Sequence, residues 1–171
     1  MAHSNIRSLI VGILVIWCQC AYAGGPHEYR SPDGRLKALV ISLPRAPYGS
    51  GESRIQVRSI DGTLLFSKSY ASKDGEHGFG VEHAAWTPDS KFFVYSLSSS
   101  GGHQSWHFPT DFIEASTLSV YRLDDYVGPI TDPEFRVLPP DTVYADGKGN
   151  VDLAETTFKV RLSELVNRKK P

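Results

Sequence analysis

The sequence predicts an all-β fold, and three observations carry that expectation. Apolar residues alternate rather than recur at helical spacing, tight Pro-Asp and Asp-Gly turns separate the alternating runs, and two stretches of the chain repeat each other. Six runs have the strand pattern: LKALVIS (36–42), RIQVRSI (54–60), LLFSKSY (64–70), KFFVYSL (91–97), TLSVYRL (117–123) and TFKVRL (157–162). They are rich in β-branched and aromatic residues, which suit a pleated surface. Asp61-Gly62 lies between the second and third runs and predicts a hairpin, because both of its positions tolerate positive φ. No stretch reads as an amphipathic helix of three turns. The nearest candidates are LSELVNRKK near the end of the sequence and one turn at TDFIEAS (110–116).

The first segment is of another kind. Residues 1–23 hold Arg7, then the apolar run LIVGILVIWC, then AYA at 21–23. A charged start, a short apolar centre and small residues at the cleavage positions predict a secretory signal peptide cut after Ala23. The run is shorter than the roughly 20 residues a membrane span requires, so no stable span is expected after processing. Cys18 and Cys20, the sequence's 2 cysteines, would leave with this segment. Residues 24–171 then have no thiol for disulfides, thiolate zinc sites or nucleophilic catalysis. The expected location is the periplasm or the exterior. The sequence has 18 basic and 19 acidic residues, and its positive charge clusters only at RKK (168–170), so nucleic acid is not an expected partner.

Residues 24–171 are expected to form a single all-β domain with internal repetition. SPDGRLKALVIS (31–42) aligns with TPDSKFFVYSLS (87–98) at an offset of 56, and RIQVRSIDG (54–62) with TLSVYRLDD (117–125) at an offset of 63. That alignment puts seven additional residues in the middle loop of the second unit, within SSSGGHQSWHFPTDF (98–112). Each unit reads as a four-stranded antiparallel meander, the form of a propeller blade. The expected boundaries are about 27–70 for the first unit, about 79–138 for the second, and 139–171 for a C-terminal strand and tail.

Pro32-Asp33-Gly34 and Trp86-Thr87-Pro88-Asp89, each followed by an apolar strand, resemble the blade repeat of TolB-type β-propellers. In that family an aromatic residue, Ser, Pro, Asp and Gly precede the strand; here Arg30 stands at the first aromatic position and Ser90 at the second glycine. The resemblance covers two stretches of roughly 40 residues and implies a propeller-like binding scaffold more than an activity. Closed propellers have about four to eight blades, so two units imply a partial propeller or a small sandwich. Its open sheet edges would need cover from the C-terminal strand or from a second copy in a homodimer.

The histidines supply the candidate chemistry. In a blade arrangement His77, His83, His103 and His107 would approach one end of the second unit, beside Glu76 and Glu82. Neutral imidazoles with a carboxylate suit zinc, which takes three or four protein ligands. EHGFGVEH and HQSWH follow no established zinc signature, however, and structural hydrogen bonding in glycine-rich loops is the competing expectation. Tyr48, His103, Trp106, His107, Phe108 and Phe112 fall in or beside the middle loops and are the candidate contact residues for a partner. Trp106 is expected to pack down and hold its loop in one shape. Asp111 and Glu114 read as solvated loop carboxylates. Two functions follow: a non-enzymatic binding or scaffolding protein that meets an envelope protein or glycan, or a histidine-liganded, zinc-holding envelope protein, with hydrolysis as the activity such a centre would allow.

Overall fold

The structure is a computed structural model and describes residues 25–43, 51–75, 77–101, 106–149 and 154–168. Among the described residues it is all-β: three antiparallel sheets of 4, 4 and 3 strands, not closed into a barrel, with 2 short helices. The first sheet is a meander of β1 (His27–Arg30), β2 (Leu36–Ser42), β3 (Ser53–Ser59) and β4 (Leu64–Ser69). The second repeats that order with β5 (Phe79–Trp86), β6 (Phe92–Ser99), β7 (Thr110–Glu114) and β8 (Val120–Arg122), followed by the short helix α1 (Asp124–Val127). The third holds β9 (Arg136–Leu138), β10 (Thr142–Lys148) and β11 (Glu155–Arg161), and α2 (Leu162–Asn167) follows it. The C-terminal part is thus a third meander rather than a single covering strand. β9, which lies within the span expected for the second unit, pairs with β10 instead.

The sheets stack, and the alternation of side chains explains how. Ala38, Val40, Ile55 and Val57 of the first sheet meet Trp86, Phe93, Tyr95, Leu97 and Ile113 of the second in one buried core. Phe92, Val94 and Phe112 leave the opposite face of the second sheet and meet Val143, Ala145, Leu162 and Leu165 in another. β6 is therefore buried from Phe92 to Leu97 on both faces, as its nearly unbroken apolar sequence requires. The outer faces are mixed: charged side chains predominate, and Leu64, Leu65 and Leu138 are exposed as well. Arg54, Gln56 and Arg58 alternate with the buried residues of β3, and on the third sheet Tyr144 lies beneath Arg136 and Lys159, 5.5 and 5.6 Å from its ring centre.

The Pro-Asp turns are one structure built twice. The Ser31 hydroxyl donates to Asp33 at 2.7 Å and accepts from the Leu36 amide at 3.0 Å; Thr87 treats Asp89 and Phe92 in the same way at 2.7 and 3.1 Å. The fourth position needs positive φ, met by Gly34 at 72° and by Ser90 at 64°. The aromatic position before the turn also finds its reason. Trp86 fills the first core and donates its indole N–H to the Tyr29 carbonyl at 2.9 Å. Arg30, its counterpart, lies on the outer face and bonds Glu28 at 2.8 Å.

Beyond β6 the structure corrects the repeat alignment. The connections 43–52 and 100–109 are equal in length, so the second middle loop carries no insertion. Leu36 pairs with Ser59 and Phe92 with Glu114, which makes β7 the counterpart of β3. Thr110–Glu114, the first five residues of TDFIEAS, are accordingly a strand and not a helical turn, and β8, within TLSVYRL, corresponds to β4.

Candidate functional site

At the end of the stack opposite the Pro-Asp turns, the loops do converge, and a carboxylate rather than a histidine gathers them. Glu52 is buried and accepts from the Ser72 hydroxyl at 2.6 Å, the Gly78 amide at 2.9 Å and the Ser100 hydroxyl at 3.1 Å. These donors, the Ser72 hydroxyl foremost, hold its pKa below the usual glutamate value despite the burial. The backbone packs closely here: a Cβ on Gly80 would stand 1.9 Å from the Gly51 carbonyl oxygen. Glu52 ties three loops and two sheets together and is structural.

The described histidines take separate partners. His77 sits in the loop before β5 and meets Asp74 at 2.5 Å. His83, on β5, packs edge-on against Phe135 with ring centres 4.5 Å apart and lies 3.5 Å from Glu134. His107 bonds Asp124 at 2.5 Å through Nε2. His103 and Tyr48 lie outside the described residues, as does Glu76. Among the described residues, no group of three His, Cys, Asp or Glu side chains is placed to hold a metal ion.

The contact candidates divide sharply. Phe112 is fully buried in the second core, stacked on Tyr121 with ring centres 5.2 Å apart, and can touch no partner. Phe108 is half-buried, and its amide donates to the Ile130 carbonyl at 2.8 Å. Trp106 does not pack down. It is 66% exposed and leans on His107, with ring centres 5.2 Å apart. The residue that holds this part of the loop is Asp124 at the start of α1. Its other oxygen accepts the Thr110 amide at 2.8 Å, so a single carboxylate pins both His107 and the first residue of β7.

Next to this point lies a cluster the sequence did not disclose. Asp111 points into the space between the first two sheets and is buried, not solvated. It accepts from Arg122 Nε at 3.0 Å, from the Tyr70 hydroxyl at 2.6 Å and from Lys68 Nζ at 3.2 Å, and Tyr95 bonds Tyr70 at 2.7 Å. Burial, reinforced by the neighbouring carboxylate, raises the pKa of both phenols, so both stay neutral. Burial works against the charge on Arg122, but its hydrogen bond to Asp111 and the negative charges of Asp111 and Asp124 together outweigh this and raise its pKa. A cleft of about 290 Å³ opens over the cluster, lined by Lys68, Asp111, Tyr121, Arg122, Asp125 and Tyr126. α1 borders both places: Asp124 grips His107, while Asp125 and Tyr126 form part of the cleft wall. The pairing Lys68–Asp111 spans two sheets and 43 residues of sequence, which is why no local pattern announced it.

A larger cleft of about 550 Å³ lies at the other end, between the first two Pro-Asp turns. Its charges are internally matched: Arg35 with Asp33 at 2.7 Å, Lys91 with Asp89 at 3.4 Å. Glu114 accepts the hydroxyls of Ser116 and Thr117. Those contacts shape the turns and leave little charge for a ligand. The surface from Trp106 across α1 to Arg122 is the candidate site. No protein-family model and no curated protein matches the chain.

Proposed function

We propose that the protein is an exported, non-enzymatic binding module whose sheet stack presents a contact surface around Trp106, His107 and α1. One observation carries the reading: Trp106 is 66% exposed on a residue that Asp124 pins in place. Burying a tryptophan is among the largest apolar gains a fold can make, and exposed aromatic anchors on rigid supports are the residues that dominate protein interfaces. Trp106 contributes nothing to either core, so its value lies outside the fold. Export is inferred from the composition of residues 1–23, which lie outside the described residues.

Site-specific photo-cross-linking in producing cells tests the proposal. A cross-linking amino acid at position 106 should give a discrete higher-mass species in the envelope or secreted fraction, and the same group at Gln56, on the outer face of the first sheet, should not. Equal labelling from both positions, or none from position 106, would overturn it.

A further inference from the structure

The outer face of the first sheet carries a cross-strand row that works against the fold's own stability. Arg30 pairs in register with Lys37, Lys37 with Arg58, and Arg58 with Leu64, so three cations lie side by side on β1, β2 and β3. Like charges directly opposite each other destabilise a sheet. The face compensates them only in part. Glu28 bonds Arg30 at 2.8 Å and lies 3.8 Å from Lys37. Arg58 instead uses its donors on neutral acceptors, the Gln56 side chain and the Gly62 carbonyl. Arg54, exposed on the same face, has no carboxylate partner among the described residues. Four cations thus stand against two carboxylates, Glu28 on the face and Asp61 in the adjoining turn, while Asp33 and Arg35 beside them cancel. Two positive charges remain, on a chain whose net charge is -1.

Apolar residues continue the row. The register shifts at Arg58, a bulge that sets both Leu64 and Leu65 opposite it. These two leucines and Ile60, just beyond β3, are 43% to 49% exposed. We propose that this face docks on an anionic phospholipid surface, its cations on the headgroup phosphates and Ile60, Leu64 and Leu65 at the acyl boundary. Guanidinium groups meet phosphate oxygens with paired donors, and each basic residue near an anionic bilayer adds to the attraction. Exposed leucines beside the cations gain from a bilayer and gain nothing from a soluble polyanion. Headgroup phosphates would also relieve the repulsion within the row. The inference uses a different face from the Trp106 surface, so either can fail alone, and a bilayer offers position 56 no protein to cross-link.

Vesicle co-sedimentation of the purified protein tests it, with phosphatidylcholine alone and with equal parts of phosphatidylcholine and phosphatidylglycerol. Phosphatidylglycerol should raise the affinity at least about tenfold at low salt, and high salt should abolish that gain. Arg58→Gln and Arg54→Gln should each lower the affinity for the mixed vesicles about fivefold. Leu64→Ser combined with Leu65→Ser should lower it several-fold while leaving its salt dependence unchanged. Lys159→Gln, on the outer face of the third sheet, should have no effect. Should Arg58→Gln fail to fold by circular dichroism, Arg54→Gln carries the test. Equal binding to both vesicles, or undiminished affinity in the folded arginine variants, would overturn the proposal. So would heparin binding that is tighter than vesicle binding and indifferent to the leucine variants.

Discussion

The Asp33 amide donates to the Ser90 hydroxyl at 3.0 Å, so a residue of one Pro-Asp turn is bonded directly to its near-counterpart in the next. The Asp89 amide continues the series by donating to the Pro140 carbonyl at 3.1 Å. Ser90 thus serves two ends at once: its backbone takes the positive φ the turn needs, and its hydroxyl joins the sheets. The two roles separate by mutation. Ser90→Ala keeps the strained backbone and leaves the Asp33 amide without its acceptor, at a cost of about 1–2 kcal/mol. Ser90→Gly also loses the acceptor but relieves a conformation that costs an L-residue about 1 kcal/mol, so it should be the milder change. Urea midpoints of the two variants check the order.

Acid should loosen the stack through its carboxylates. Glu52 is held below its usual 4.5, and Asp33, hydrogen-bonded first by Ser31 and then by Arg35, is lowered from 3.8 to about 2. Between those values the unfolded chain binds more protons than the folded one, so stability rises with pH there. The stabilisation is complete above about pH 4.5 and is lost as pH falls toward about 2. Glu52→Gln, which cannot accept equally on both terminal atoms, should cost about 2–3 kcal/mol at neutral pH. Its unfolding midpoint should also depend less on pH than that of the wild type.

How far the sequence was legible follows from the range over which each signal acts. β2 is observed at 36–42, as its alternation predicts, and β3, β4 and β6 begin within one residue of expectation. The Ser31 and Thr87 turns were readable because all their partners lie within five residues. Asp61-Gly62 and Asp124-Asp125 look alike in sequence, but the first closes the β3–β4 hairpin and the second opens α1, and equating them created the false insertion. β9 has three residues, too few for a visible period, so the third meander went unread. Asp111 follows the strand alternation of β7, a segment whose sequence suggests a helical turn. Its partners Lys68 and Tyr70 come from another sheet. Burial of Phe112 and exposure of Trp106 depend on what the third sheet covers, which no window of sequence contains.

The two tryptophans downstream of residue 23 should respond in opposite ways. Trp106→Ala removes an exposed ring and should change stability by no more than about 0.5 kcal/mol. Trp86→Ala opens the first core and loses the bond to Tyr29, at a cost of about 3–5 kcal/mol. Thermal denaturation distinguishes them, and a strongly destabilised Trp106→Ala would restore an anchoring role for that ring.

Deleting residues 155–171 removes β11 and α2, and with them Leu162 and Leu165 from the second core. β10 would then expose the edge it now pairs along its whole length, from Thr142 to Lys148. Aggregation or a changed oligomeric state is expected by size-exclusion chromatography, since an unpaired apolar edge recruits other chains. A stable, unchanged species would show that the third meander tolerates the loss of a strand.

With both faces of β6 walled, its amides should exchange with deuterium only when the whole molecule opens. Phe93 and Tyr95 belong to one core, Phe92 and Val94 to the other, so neither core can melt without stripping one side of the same strand. Amides of β1 and β11, each at the edge of its sheet, have routes to local opening and should exchange orders of magnitude sooner. The central strand makes two separate apolar clusters behave as one cooperative unit. A substitution in either should therefore lower the protection of β6 and of the opposite core by the same free energy.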